Sequence, residues 1–528
     1  MQAAVKTLEF ARWKWQAHVT SSRLKPEIVK SRKNQRQLVR PIVRSAVEGL
    51  VSCVPETKEL LTPSAWADLV AHLERWLLRI LQPVLASKLA IATTHSKASH
   101  SRDQVFSISL DINASNLSVQ QLFELFPGAK ETVDAIVADW LRAQRMMAVR
   151  LQRDWGRLLS MLPREATQRV KHVTPGLSDP HERGQTVTVL EFAGGGRLVY
   201  KPRSCEGERI WFSALEWLNR EGFQPSFYIP QFISRGNYCW MSFVEHRGCD
   251  SKRAVREFYF RWGVQAAIAQ LLACADLHRQ NWIASGEQPV LVDGEMAGSA
   301  FLRHRGSNRA VLANEQLHPL LRTGLLPLSE NDCAGYYRGI APFDSTSLRG
   351  ERKSFWPMYS GKVERPGNYR DQILHGFTAA LSFLRNRRGR KGFGDFVVCA
   401  SCRKHLRILK RATASYYRLL EDSLQPQHLQ KRGQRLQYLL DRRGKDRLGK
   451  IEARSLFRCC VPRFTKNLDG QQRRSVASLR SMPESAAVLA TRLQLTVRAR
   501  ETRVIKAMTR CEVRALPASR GARGRRGR

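Results

Sequence analysis

Within six residues, Asp276, His278 and Asn281 place a carboxylate, an imidazole and an amide on one polar loop, and a second carboxylate, Asp293, follows an apolar run. Phosphoryl transfer from ATP needs little more: a group that orients the attacking hydroxyl, and oxygen ligands that hold Mg²⁺ across the phosphates. An ordinary solvated turn contains the same residue types, so the flanking sequence has to decide. Upstream, Val264, Ile268, Leu271, Leu272 and Ala275 recur at helical spacing, which predicts a buried helix. Downstream, Pro289-Val290-Leu291-Val292-Asp293 predicts a short buried strand ending in the acid. Helix, polar loop, strand and carboxylate is the order of a kinase-like catalytic loop and its metal-binding aspartate.

Such a site also needs a cation for the nucleotide phosphates, upstream on a strand of a smaller lobe. Residues 186–192 alternate, Ala193-Gly194-Gly195-Gly196 supplies a turn, and Arg197-Leu198-Val199-Tyr200-Lys201 alternates again, which predicts a hairpin. Lys201 closes its second strand. In a basic chain a strand-end lysine is commonly solvated, but its place after a Gly-rich hairpin and before the acidic loop points to a nucleotide contact.

Five segments now carry a family resemblance: Val199-Tyr200-Lys201-Pro202-Arg203-Ser204, Phe258-Tyr259-Phe260-Arg261-Trp262-Gly263, the loop from Asp276 to Asn281, Ile283-Ala284-Ser285-Gly286, and Val290-Leu291-Val292-Asp293-Gly294-Glu295. In this order they resemble the dehydratase domain of class II lanthipeptide synthetases, the LanM type. Further agreement comes from residues 176–184, 320–327 and 407–413, so the resemblance covers roughly residues 150–465 and weakens on either side.

The resemblance implies an α+β fold with a lipid-kinase-like two-lobed core, an N-terminal helical region and additional helices. It also implies two chemistries: phosphorylation of Ser and Thr in a ribosomal precursor peptide, then elimination of phosphate to dehydroalanine or dehydrobutyrine. By resemblance, Lys201 neutralises phosphate charge, Asp276 orients or deprotonates the hydroxyl, Asn281 and Asp293 ligate Mg²⁺, and His278 positions phosphate or loop. Glu295 is open between a second metal ligand and an exposed carboxylate. Elimination, again by resemblance, falls to Asp179, His181, Arg407 and Thr413; an arginine suits a phosphate leaving group because its planar fork stays protonated. Arginines crowd that region, and only the spacing to Thr413 singles out Arg407. Two departures stand out: Gln280 replaces a Glu usual in the loop, and Gly294 replaces a bulkier apolar residue.

Stepping from residues to elements, residues 1–150 read as a helical capping region, with Leu69, Leu73, Trp76, Leu77 and Ile80 on one face. Residues 151–345 are expected to form the kinase-like core with the nucleotide and metal site. Residues 346–465 would complete the dehydratase with the elimination residues, and 466–528 form a basic tail expected to be partly disordered. Within the core, Ile210, Trp211, Leu215 and Leu218 predict a helix packed on the small-lobe sheet. Residues 296–330, with Arg303, Arg305 and Arg309, are expected to form a substrate-access loop. Residues 385–391 read as a solvated basic loop.

A chain of 528 residues suffices for two or three domains with real cores. Its 88 Lys and Arg against 46 Asp and Glu, a net +42, attract anions at long range, so nucleic acid stays as a charge-driven, non-specific alternative without a recognisable module. No segment approaches the about 20 apolar residues of a membrane helix and no signal peptide opens the chain, so a cytoplasmic protein is expected. Eleven scattered cysteines suit reduced thiols. Cys399, Cys402 and His405 make only part of a zinc spacing. Full-length relatives carry a C-terminal cyclase, so the expected partners are a precursor peptide and a separate cyclase, unless the chain is a truncated remnant that binds polyanions. A kinase without elimination is the other alternative; it needs Lys201, Asp276, Asn281 and Asp293 but not Arg407 or Thr413.

Overall fold

The computed structural model describes residues 28–95, 118–298, 318–326, 341–343, 354–385, 393, 405–408, 410–411, 413–443, 447–467 and 488–489. In chain order the longer helices are α1 (Ile28–Cys53), α2 (Pro63–His95), α3 (Pro127–Leu158), α4 (Glu206–Arg220), α5 (Lys252–Leu271), α6 (Arg370–Arg385), α7 (Thr413–Ser423) and α8 (Lys450–Phe457). The strands used below are β1 (Val170–Thr174), β2 (Thr188–Phe192), β3 (Arg197–Lys201), β4 (Phe232–Ser234), β5 (Cys239–Ser242), β6 (Trp282–Ser285), β7 (Gln288–Leu291), β8 (Met358–Tyr359), β9 (Lys362–Val363) and β10 (His405–Ile408). Helices beside small sheets make the fold α+β, as expected. By its internal contacts the chain divides into two units. The first holds Met1–Cys205, Gln231–Phe243 and Arg411–Phe464, and the second Glu206–Pro230, Val244–Lys410 and Thr465–Arg528.

In the first unit, the predicted stripe is the inner face of α2: Leu69, Leu73 and Leu77 are 0 % exposed, Ile80 1 % and Trp76 8 %. Each such side chain stabilises the fold by about 1.5–3 kcal/mol. The start of α2 is tied to β1, since Thr62 N donates to Val170 O at 3.0 Å and Asp68 Oδ2 accepts from Val173 N at 3.1 Å. The sheet is antiparallel in the order β1-β2-β3-β5-β4. Its β2–β3 hairpin has the expected register, Leu190 opposite Leu198. The turn needs its glycines: Gly194, Gly195 and Gly196 take φ of 80°, 102° and 86°, and a Cβ on Gly194 would lie 1.7 Å from Glu165 O. At the far edge, the fully buried Asp154 of α3 accepts from Arg235 Nη2 (2.6 Å), Tyr238 Oη (2.8 Å) and Trp240 Nε1 (2.9 Å), which fixes the β4–β5 hairpin on the helix.

The expectation of reduced thiols is corrected at one pair. Cys205 and Cys239 form a disulfide, both side chains 1 % exposed. They are 34 residues apart in sequence. Cys239 stands opposite Lys201 across β3 and β5, and the chain turns back just past β3, which brings Cys205 alongside.

In the second unit, α5 is buried almost all round, more extensively than the stripe at 264–275 predicts, and it packs against α6. Two glycines let the backbones meet: a Cβ on Gly263 would fall 1.9 Å from Ile373 O, and one on Gly376 1.9 Å from Phe260 O. After α5 comes the β6–β7 hairpin, with Trp282 opposite Leu291 and Ile283 opposite Val290. The expected strand at 289–293 is β7, which stops at Leu291, two residues before the acid. The helix predicted at 210–218 is α4, grouped with the second unit and not with the sheet on which it was expected to pack. Most of the substrate-access loop, the basic loop after Arg385, Cys399, Cys402 and nearly all of the tail lie outside the described residues. Among the described residues, no helix is long and apolar enough to cross a membrane.

Candidate active site

The polar loop begins where α5 runs out. Ala273 and Asp276 take positive φ, 47° and 60°, in a region that L-residues rarely adopt outside glycine, and such strain persists only where surrounding structure holds it. The bonds that hold it are on both sides. Leu277 N donates to Thr323 O at 2.8 Å, Trp282 Nε1 to Leu277 O at 3.1 Å, and Val292 N to Asn281 O at 2.8 Å, the last joining the loop to the segment that carries Asp293. Thr323 is itself 0 % exposed and its hydroxyl donates to Leu320 O at 2.6 Å.

The side chains follow from this backbone. Asp276 remains partly exposed, and its Oδ1 lies 3.6 Å from His278 Nε2. Asn281 is 3 % exposed; its Nδ2 donates to Asp276 O at 2.7 Å, which fixes the amide and directs Oδ1 away from that bond. Asn281 Oδ1 is buried and accepts no hydrogen bond among the described residues. A buried amide oxygen left so costs about 1–3 kcal/mol, unless something absent from the bare chain uses it. Asp293 is half-buried just after β7. Among the described residues, no three His, Cys, Asp or Glu side chains cluster as a metal site, so the oxygen ligands here are an amide and a carboxylate.

Glu295 is not the exposed carboxylate that the sequence left open. It is 9 % exposed and its Oε1 pairs with Arg407 Nη1, the arginine being 6 % exposed on β10. Gly207, at the start of α4, is the reason that the segment can sit so deep, since a Cβ there would lie 2.4 Å from Gly294 O and 2.9 Å from Glu295 Cα. This pairing, between residues 112 apart, left no signal in the sequence.

The remaining residues belong to the first unit. Lys201 is 2 % exposed at the end of β3, not a solvated lysine. Asp179 Oδ1 accepts from Tyr417 Oη at 2.6 Å, and Thr413 opens α7 one turn before Tyr417, on the same helical face. His181 is 8 % exposed and its Nδ1 donates to Val461 O at 2.8 Å, because a carbonyl can only accept. The neutral ring therefore carries its basic lone pair on Nε2. A tight turn presents it: Glu182, Arg183 and Gly184 all have positive φ, and His181 and Gln185 exchange both backbone hydrogen bonds. Reasoning from sequence missed Tyr417 as the partner of Asp179; the paired tyrosines Tyr416 and Tyr417 were visible, but nothing distinguished which one faces the acid. The fold thus brings Asp276, His278 and Asn281 together on one loop, joins Glu295 to Arg407, and gathers Asp179 with Tyr417.

Comparison with known proteins accords with this geometry. The lacticin 481/lactococcin biosynthesis protein LcnDR2 of Lactococcus lactis subsp. lactis is 24 % identical over 326 residues, 52 % of this chain and 35 % of the relative. The chain thus matches about a third of that protein's length. A family model described as a domain of unknown function, DUF4135, matches residues 126–342 and 342–467. These two matches cover more than half of the chain and take in every candidate residue above: the chain belongs to the DUF4135 family.

Proposed function

We propose that the chain is a lanthipeptide-modifying enzyme that dehydrates Ser and Thr of a precursor peptide, with ATP as phosphoryl donor, on a lipid-kinase-like core. The observation that carries the proposal is Asn281: a buried amide oxygen with no partner among the described residues, on a strained loop tied to the segment of Asp293. That oxygen and the Asp293 carboxylate are the hard ligands that Mg²⁺ takes, and Mg²⁺ held there would supply neutralisation of phosphate charge. The similarity to a lantibiotic biosynthesis protein supports the substrate class.

The chain's own groups divide the work. Asp276 Oδ1 accepts the proton of the substrate hydroxyl as its oxygen bonds to the γ-phosphorus and the bond to ADP breaks. The strained backbone at Asp276 keeps that carboxylate from settling into a solvated rotamer. Lys201, whose burial strengthens its charge, offsets the phosphates. For elimination, a base removes the α-proton, the Cα–Cβ double bond forms and the Cβ–O bond breaks, releasing phosphate. His181 Nε2, held basic by the Nδ1 bond to Val461, is our base, with Asp179 and Thr413 on the neighbouring surface. Arg407 would accompany the leaving phosphate, and Glu295 keeps it aligned meanwhile.

The test is mass spectrometry of a Ser- and Thr-containing precursor peptide after incubation with the protein, ATP and Mg²⁺. Loss of water from the peptide is expected. A stable gain of phosphate would reduce the function to a kinase, and an unchanged peptide that is a genuine partner would overturn both.

A further inference from the structure

The turn that presents His181 closes a pocket of ≈ 260 Å³ within the first unit, lined among others by His181, Glu182, Gln185, Pro202, Arg203 and Arg463. Its walls are stitched together by backbone and thiol. Val461 N donates to Pro180 O at 2.8 Å, His181 Nδ1 to Val461 O, and Gly184 N to Cys460 Sγ at 3.1 Å, so residues 460–463 run along the turn and deliver Arg463. Arg203 arrives from the other side, two residues beyond Lys201.

The lining has an excess of positive charge in a place that shields it from water. Arg203 is 7 % exposed, and the Arg463 side chain likewise 7 %. The carboxylate of the lining, Glu182, lies 3.5 Å from Arg463 but is 57 % exposed, a rim position where an ion pair is weak. Arg203 Nη1 donates to the neutral Ser204 O at 3.2 Å. Two guanidiniums and one rim carboxylate around a basic imidazole are the chemistry of an oxyanion site, since guanidinium presents paired donors that match a phosphate's oxygens.

We propose that this pocket binds a phosphate oxyanion, through Arg203 and Arg463 as ligands and beside His181. The inference rests on the dehydratase reading for its context: it would hold the phosphate of a phosphorylated Ser or Thr, or the free phosphate after release. Neither arginine belongs to the residues that the motif comparison assigned.

The experiment titrates the full chain by calorimetry with a synthetic phosphoserine peptide, its unphosphorylated twin and inorganic phosphate, with no ATP present. The readout is the ratio of affinities for the two peptides, because damage to the fold lowers both alike. A ratio above tenfold is expected for the native protein, falling to near one in Arg203→Gln and Arg463→Gln, with partial recovery in Arg463→Lys, which keeps the charge and loses the fork. If the peptide ratio is near one but inorganic phosphate binds and depends on both arginines, the pocket holds released phosphate. If neither phosphopeptide nor phosphate responds to either arginine, the inference is overturned. Arginine-dependent phosphate binding in a protein that never modifies a peptide with ATP removes the dehydratase reading and leaves the site standing. Complete dehydration by both Gln variants, with no phosphopeptide accumulating, does the reverse.

Discussion

At the scale of single residues, Asp276 and Glu295 separate two uses of a carboxylate. Asp276 is partly exposed on strained backbone, a group held for contact with something else. Asp276→Asn should therefore slow peptide phosphorylation by about 10²–10⁴-fold while leaving peptide affinity and thermal unfolding unchanged, checked by a discontinuous kinase assay beside binding and melting curves. Glu295 is buried in an ion pair, and removing one partner of a buried pair leaves an uncompensated charge. Glu295→Ala should destabilise the second unit by roughly 3–5 kcal/mol in urea unfolding, with no change in the Mg²⁺ concentration needed for half-maximal rate. An unchanged unfolding midpoint with a raised Mg²⁺ requirement would return Glu295 to the metal. The types and order of the loop residues could be read from the sequence because they lie within 18 positions of one another, Asp276 to Asp293. The Glu295–Arg407 pair could not, because 112 residues separate its members and either alone looks like one more surface charge.

At the scale of elements, the sequence was most legible where one face of an element is buried and the other is not. The α2 stripe and the β2–β3 hairpin follow from periods of 3.6 and 2, and both formed as expected. The strand β6 went unread as a strand, since Trp282-Ile283-Ala284-Ser285 is too short for a period to emerge. Where α4 would pack was equally hidden, because an apolar stripe reports that a helix has a partner and not which one. Burial also sets the acid response of the first unit. His72 of α2 packs under Gly176, the start of the segment that carries Asp179 and His181, and its imidazole is pulled down to about 3 by burial and by the neighbouring Arg75 charge. The unfolded chain binds the proton near 6.5, so between 6.5 and 3 the unfolded state holds more protons than the folded one. Stability from this group is complete above pH 6.5 and drains as the pH falls, by up to about 1.4 kcal/mol per pH unit. Urea unfolding of the native chain at pH 7 and pH 5 should differ accordingly, and His72→Leu should flatten the difference; an unchanged slope in that variant would mean that the acid sensitivity lies elsewhere.

At the scale of the whole molecule, the charge of +42 and the site make opposing claims on the partner. A surface this basic attracts any polyanion by releasing its counterions, and that attraction is lost steeply with salt: about 10³-fold or more between 50 and 200 mM for a protein that covers several phosphates. Contacts inside a pocket of buried arginines are screened far less than surface charges, because the Debye length of about 8 Å at physiological ionic strength applies to charges that face solvent. The two modes therefore separate along one axis. Binding of a random DNA duplex, followed by fluorescence anisotropy, should fall by about 10³-fold between 50 and 200 mM salt. Over the same range, ATP-dependent modification of a precursor peptide should fall less than about tenfold, because only its encounter rate is steered by the long-range field. Should peptide modification fall as steeply as DNA binding, the basic surface and not the pocket would be the principal contact with the peptide. The loop of Asp276 and Asn281 would then have to act on a substrate held chiefly by charge at a distance, a weak arrangement for a reaction that needs its hydroxyl held within hydrogen-bond reach of one carboxylate.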